Sequence, residues 1–144
     1  MTSMIKLIPR IQPMHVLSVN FYTLEITEGY ALKMFELLID GKPMAEWLKD
    51  GNDGIPLYLV KDELPRWSSI APGAASDIFI ITVCECGEPG CGHSRCRVRR
   101  DGNRVVFEDF RGNVGAAGRA LQLEVPAAQF DDVVQQITAA KGHA

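Results

Sequence analysis

From Val16 to Ile26 the chain alternates Val16, Ser18, Asn20, Tyr22, Leu24 and Ile26 against Leu17, Val19, Phe21, Thr23 and Glu25. A period of two with apolar residues in both sets predicts a strand covered on both faces. Glu28-Gly29 turns the chain, and Tyr30 to Ile39 runs apolar with few breaks up to Asp40-Gly41-Lys42-Pro43, a second turn signal. The two segments read as a hairpin. Helical spacing of Leu32, Phe35, Glu36 and Ile39 competes for the second, but its length and its aromatic and β-branched residues favour a strand. Pro43 to Leu48 predicts a short helix near 43–49, opened by proline and stopped at Asp50-Gly51-Asn52-Asp53-Gly54.

Ile55 to Val60 predicts a short strand. Leu64 to Ser76, with Pro65, Pro72 and Gly73, predicts a long surface connection. Beyond it the alternation sharpens. Ile78 to Cys86, Ser94 to Arg100 and Arg104 to Phe110 form a three-stranded antiparallel meander, divided by a cysteine-rich turn and by Asp101-Gly102-Asn103. Gly112, Gly115 and Gly118 mark a flexible loop, Ala120 to Val125 a last strand, and Pro126 opens a helix near 126–140 whose apolar face is Phe130, Val133, Val134 and Ile137. The expected fold is α+β: one domain over 15–140, mostly antiparallel sheet, after an extended segment 1–14 and before a tail 141–144.

The 144 residues suffice to bury about 68–70% of the unfolded surface without disulfide support. No apolar stretch before His15 is long enough for a signal-peptide core or a membrane span, which implies a cytoplasmic, reducing location. Thiols there are free, metal-bound or redox-active more often than bridged. The net charge of −3 gives no overall attraction to nucleic acid or anionic lipid.

All four cysteines fall in Cys84-Glu-Cys86-Gly-Glu-Pro-Gly-Cys91-Gly-His93-Ser-Arg-Cys96. On a strand Cys84 and Cys86 share a face, and a hairpin could bring Cys91 and Cys96 to the same end of the sheet, the arrangement of a tetrahedral zinc site with His93 as substitute ligand. The spacing C-x-C-x4-C-x4-C departs from paired zinc knuckles and makes joint chelation by Cys84 and Cys86 awkward. The simpler reading makes Cys84, Cys86 and Cys96 small buried residues of strands. A reversible disulfide is the third. Gly87, Gly90 and Gly92 with Pro89 indicate a turn of fixed shape.

Phe35 to Leu48, the turn from Cys84 to Cys91, Arg104 to Phe110 and Gln129-Phe130 together resemble a large group of short bacterial proteins without an assigned activity. That group has a strand ending in Asp-Gly, a C-x-C-G-x-x-G-C turn, an aromatic-x-Asp-Phe strand and a C-terminal helix. The resemblance implies the architecture and carries over no catalytic residue. His93 and Cys96 depart from the pattern. In general build the chain also resembles immunity proteins that neutralise bacterial toxins, as in contact-dependent inhibition systems.

Nucleophile-elbow, zinc-protease, phosphate-loop and dinucleotide motifs are absent, so the chain reads as non-enzymatic. Arg95, Arg97 and Arg99 share one strand face, with Arg100, Arg104 and Arg111 nearby. This stripe suits RNA phosphates or, more simply, cross-strand carboxylates such as Glu85 and Glu108. Asp50, Asp53, Asp62 and Glu63 lie in an acidic stretch that suits docking to a basic toxin cleft, for example that of a nuclease. The leading expectation is a cytoplasmic immunity protein that binds a cognate toxin through these four carboxylates, with no cofactor and no membrane. A zinc-binding or redox-sensing module on Cys84, Cys86, Cys91 and Cys96 is the alternative, and an RNA-binding module the third.

Overall fold

The computed structural model describes residues 13–141, without the side chains of residues 61, 62, 76–78 and 141. Most of the expected 1–14 segment and of the tail, and the Asp62 side chain, lie outside the described residues. The fold is α+β, built on two four-stranded antiparallel sheets. The first consists of β1 (Leu17–Thr27), β2 (Tyr30–Ile39), β3 (Lys42–Pro43) and β4 (Ile55–Pro56), with β4 paired to β2. The second is β5 (Ala75–Val83), β6 (His93–Asp101), β7 (Arg104–Gly112) and β8 (Leu123–Pro126), in that order.

The hairpin forms as its alternation predicts, with Phe21 opposite Phe35 and Leu17 opposite Ile39. It is not covered on both faces. Among the described residues β1 pairs only with β2, at the edge of the first sheet, and Phe21 stays 40% exposed. The start of β1 is tied down by bonds from His15 N–H to the Glu124 carbonyl (2.8 Å) and from Leu17 N–H to Gln129 Oε1 (2.8 Å). These join the first sheet to the last strand and last helix.

Helix α1 (Met44–Leu48) follows β3 as expected, and Lys49 ends it in a left-handed conformation. Met44 and Leu48 are buried, and the Trp47 indole N–H donates to the Ile39 carbonyl (3.0 Å). The stretch after β4 corrects the sequence reading. Only Ile55–Pro56 is strand, a 3-10 turn covers Leu57–Leu59, and helix α2 (Val60–Ser68) replaces much of the expected surface connection, with Pro65 inside it. Val60, Leu64 and Trp67 lie at helical spacing and are all buried, which explains why a helix forms here despite the proline.

Trp67 stands where the layers meet. Its ring is stacked on Phe79 of β5 (5.2 Å between centroids), edge-on to Phe35 of β2 (6.1 Å), and 6.4 Å from Phe130. A one-turn helix α3 (Ala116–Arg119) interrupts the expected flexible glycine loop, and Gly118 is buried within it. Helix α4 (Ala127–Lys141) presents the predicted face, with Phe130, Val133, Val134 and Ile137 buried. Among the described residues no helix is long and apolar enough to cross a membrane.

Candidate functional site: the cysteine turn

β5 ends at Val83, so Cys84 and Cys86 lie in the turn between β5 and β6 and not on a strand as the alternation suggested. Three backbone bonds fold this turn back on itself. Cys84 N–H donates to the Gly92 carbonyl (2.7 Å), Gly87 N–H to the Cys84 carbonyl (2.8 Å), and Cys91 N–H to the Glu88 carbonyl (3.0 Å). The curl removes the awkwardness expected of C-x-C, because the chain reverses after Cys84 and the two side chains no longer follow strand geometry.

Cys84, Cys86 and Cys91 converge, their sulfurs all lying within 4.8 Å of one another. The Cys84 and Cys91 sulfurs share a hydrogen bond at 3.3 Å. Cys91 is exposed and the other two are half-buried. The Cys86 backbone N–H, then the thiols of Cys91 and Cys86, bond the Cys84 sulfur and lower its pKa. Cys91, sharing hydrogen bonds with Cys84 and Cys86, is pushed up to about 12. Of these two thiols Cys84 is thus the readier to ionise.

Cys96 does not join them. On β6 the inward positions are Ser94, Cys96 and Val98, so Cys96 is 2% exposed and faces the core, where burial holds its thiol well above the ordinary value. A four-cysteine site is thereby corrected to three. His93, the expected substitute ligand, lies outside the group of three, with its Nδ1 3.0 Å from the Pro89 carbonyl.

The turn rests on the first sheet and the 3-10 turn. The Tyr58 hydroxyl donates to the Gly87 carbonyl (2.9 Å), and a Cβ on Gly87 would stand 2.3 Å from Leu32 Cδ1. Gly87 also has φ +83°, which strains any residue with a Cβ. Gly87→Ala is expected to destabilise the fold by about 1–2 kcal/mol. Urea denaturation measures this, and an unshifted midpoint would mean that the turn tolerates a different backbone.

The acidic residues occupy a different kind of site. Asp50 Oδ2 accepts from the Thr82 hydroxyl (2.6 Å) and the Ser94 hydroxyl (2.7 Å), and Oδ1 from Asn52 N–H (2.8 Å). Thr82 and Ser94 are 1% and 0% exposed. Asp53 accepts from the Tyr22 hydroxyl and from Gly54 N–H (2.9 Å). Burial first, and Asp53 second, hold the Tyr22 phenol far above its ordinary value. These two carboxylates thus serve internal networks that join the loop after α1 to β1, β5 and β6. Glu63 is half-buried beside Leu64 and Trp67, around a small apolar hollow. The sequence reading missed the Asp50 network; the polar residues Thr82 and Ser94 at inward positions of their strands were its only signal.

Four of the six arginines of the stripe are paired with carboxylates. Arg99 bonds Glu108 (3.1 Å), Arg100 bonds Asp131 (2.8 Å), Arg104 bonds Glu124 (2.9 Å) and Arg111 bonds Asp109 (3.0 Å), while Arg97 stands opposite Glu108 in the register. Glu85, the other expected partner, is exposed in the cysteine turn.

Comparison of the chain with protein-family models, curated proteins and solved structures gives no match.

Proposed function

We propose that this protein binds one thiophilic metal ion, zinc in the first instance, through Cys84, Cys86 and Cys91. The observation that carries the reading is the convergence of three sulfurs within 4.8 Å at an accessible turn. A tetrahedral zinc ion with Zn–S bonds of about 2.3 Å sets its sulfurs about 3.8 Å apart. One pair stands at 3.3 Å and no pair is beyond 4.8 Å, so small side-chain rotations suffice to reach that spacing. The Cys86 N–H bonded to the Cys84 sulfur is the kind of outer-shell donor that orients a thiolate ligand and offsets its charge.

Three protein ligands leave a fourth position for water or for an incoming group. Closed structural zinc sites use four, so the arrangement suits a sensor or an exchange site more than a permanent staple. Soft thiolates also select copper(I), which accepts three sulfurs. The reading calls for a reducing compartment, as the cytoplasm provides, because the ligands must remain thiolates.

Titration of the reduced, chelator-treated protein with zinc, followed by native mass spectrometry, tests it. One ion per chain is expected. Cys84→Ser, Cys86→Ser and Cys91→Ser should each weaken binding by more than the about 10–100-fold that loss of an outer-shell partner costs. Cys96→Ser should leave it unchanged. Binding that depends on Cys96, or no stoichiometric binding at all, would sink the proposal.

A further inference from the structure

The Cys84 and Cys91 sulfurs are in contact at 3.3 Å, about 1.3 Å beyond a covalent S–S bond of about 2.05 Å. Their surroundings are unequal. Cys84 is anchored, since its N–H is held by the Gly92 carbonyl and Val83 before it bridges to Asp53. Cys91, whose N–H is held by the Glu88 carbonyl, has an exposed side chain; nothing lies within 4 Å of where a Cβ on Gly90 would sit, and one on Gly92 would meet the Asn113 side chain. The sulfur that has to travel is therefore the one with room to do so. No strand pairing opposes the step, because both residues lie outside β5 and β6.

We infer that Cys84 and Cys91 form an oxidation site: a hydroperoxide converts them to a disulfide, and the turn then releases its metal ion. The inference rests on the metal reading above. Cys84 thiolate attacks the peroxide oxygen, the O–O bond breaks, and a proton from solvent completes the departing water or alcohol, leaving Cys84 as a sulfenic acid. The Cys91 thiolate then attacks the Cys84 sulfur, the S–O bond breaks, and the departing hydroxide takes a proton from solvent as water. The two sulfurs supply two electrons, the peroxide accepts them, and the metal ion keeps its charge. A disulfide sulfur is a poor ligand, so Cys86 alone remains to hold the ion.

Cadmium is the probe, being thiophilic and inert to peroxide, with a thiolate-to-metal absorption band in the ultraviolet. The reduced protein is loaded with cadmium, treated with hydrogen peroxide and digested with trypsin without reduction. Cleavage after Arg66 and Arg95 gives a peptide containing Cys84, Cys86 and Cys91 but not Cys96. The expected result is loss of the band in step with a peptide lighter by two hydrogens, both reversed by dithiothreitol. Cys86→Ser should still give the lighter peptide, and Cys91→Ser should not.

Loss of the band without the lighter peptide would overturn the inference, as would a Cys86→Ser variant that forms none. Failure of the metal reading shows separately, as a band that never appears in the reduced protein before peroxide is added.

Discussion

Trp67→Ala is expected to lower stability by about 3–5 kcal/mol, the range for truncating a large buried aromatic. For a chain of this size that corresponds to a fall in Tm of about 10–15 °C. The magnitude follows from position. The ring is 2% exposed and meets Phe35 of the first sheet, Phe79 of the second and Phe130 of α4, so no single element can close the hole left behind. Trp67→Phe is expected to recover most of the loss. It keeps ring contacts on several sides and deletes the indole Nε1–H, which is buried without a hydrogen-bond partner among the described residues and costs about 1–3 kcal/mol in that state. Thermal unfolding of both variants checks the argument. Equal losses would mean that the polar end of the ring, and not its stacking, holds the layers together.

Trp67 also shows where the sequence was legible and where it was not. The β1–β2 hairpin, the meander and α4 follow from alternation and helical spacing, because a half-covered strand and an amphipathic helix each leave a periodic record. The segment holding Trp67 reads as a loop because Pro65 is a strong breaker that masks the helical spacing of Val60, Leu64 and Trp67. Burial of those three side chains compensates the hydrogen bond that the proline removes. Gly112, Gly115 and Gly118 mislead in the same direction. Gly118 is there for close packing, since a Cβ would come within 3.2 Å of the Leu48 carbonyl.

The cysteine cluster was half legible for a related reason. The simpler reading, in which Cys96 is a small buried residue of a strand, matches its inward position on β6. It fails for Cys84 and Cys86, because β5 stops at Val83 and the chain curls. Which sulfurs meet is decided by the carbonyls of Cys84, Glu88 and Gly92, which no residue pattern records.

Asp50→Ala is expected to cost about 3 kcal/mol. The substitution removes the acceptor of two buried hydroxyls and of the Asn52 N–H, and hydrogen bonds to a charged group contribute about 1.5–3 kcal/mol each. Thr82 is left with Asn52 Nδ2 at 3.2 Å, and Ser94 loses its carboxylate partner. Asp50→Asn keeps one acceptor oxygen, and the hydroxyls can turn toward it, so its loss should be clearly smaller. The effect should reach the cysteine turn. Ser94 follows Gly92 and His93 on the chain, and the Gly92 carbonyl anchors Cys84. Weaker metal binding in Asp50→Ala, with all three cysteines intact, is therefore a second expected result. A carboxylate whose task is to meet a basic partner predicts the reverse: unchanged Tm, unchanged metal binding and slower association with that partner. Thermal unfolding and metal titration of Asp50→Ala separate the two roles in one preparation. The geometry of Thr82 and Ser94 argues for the first.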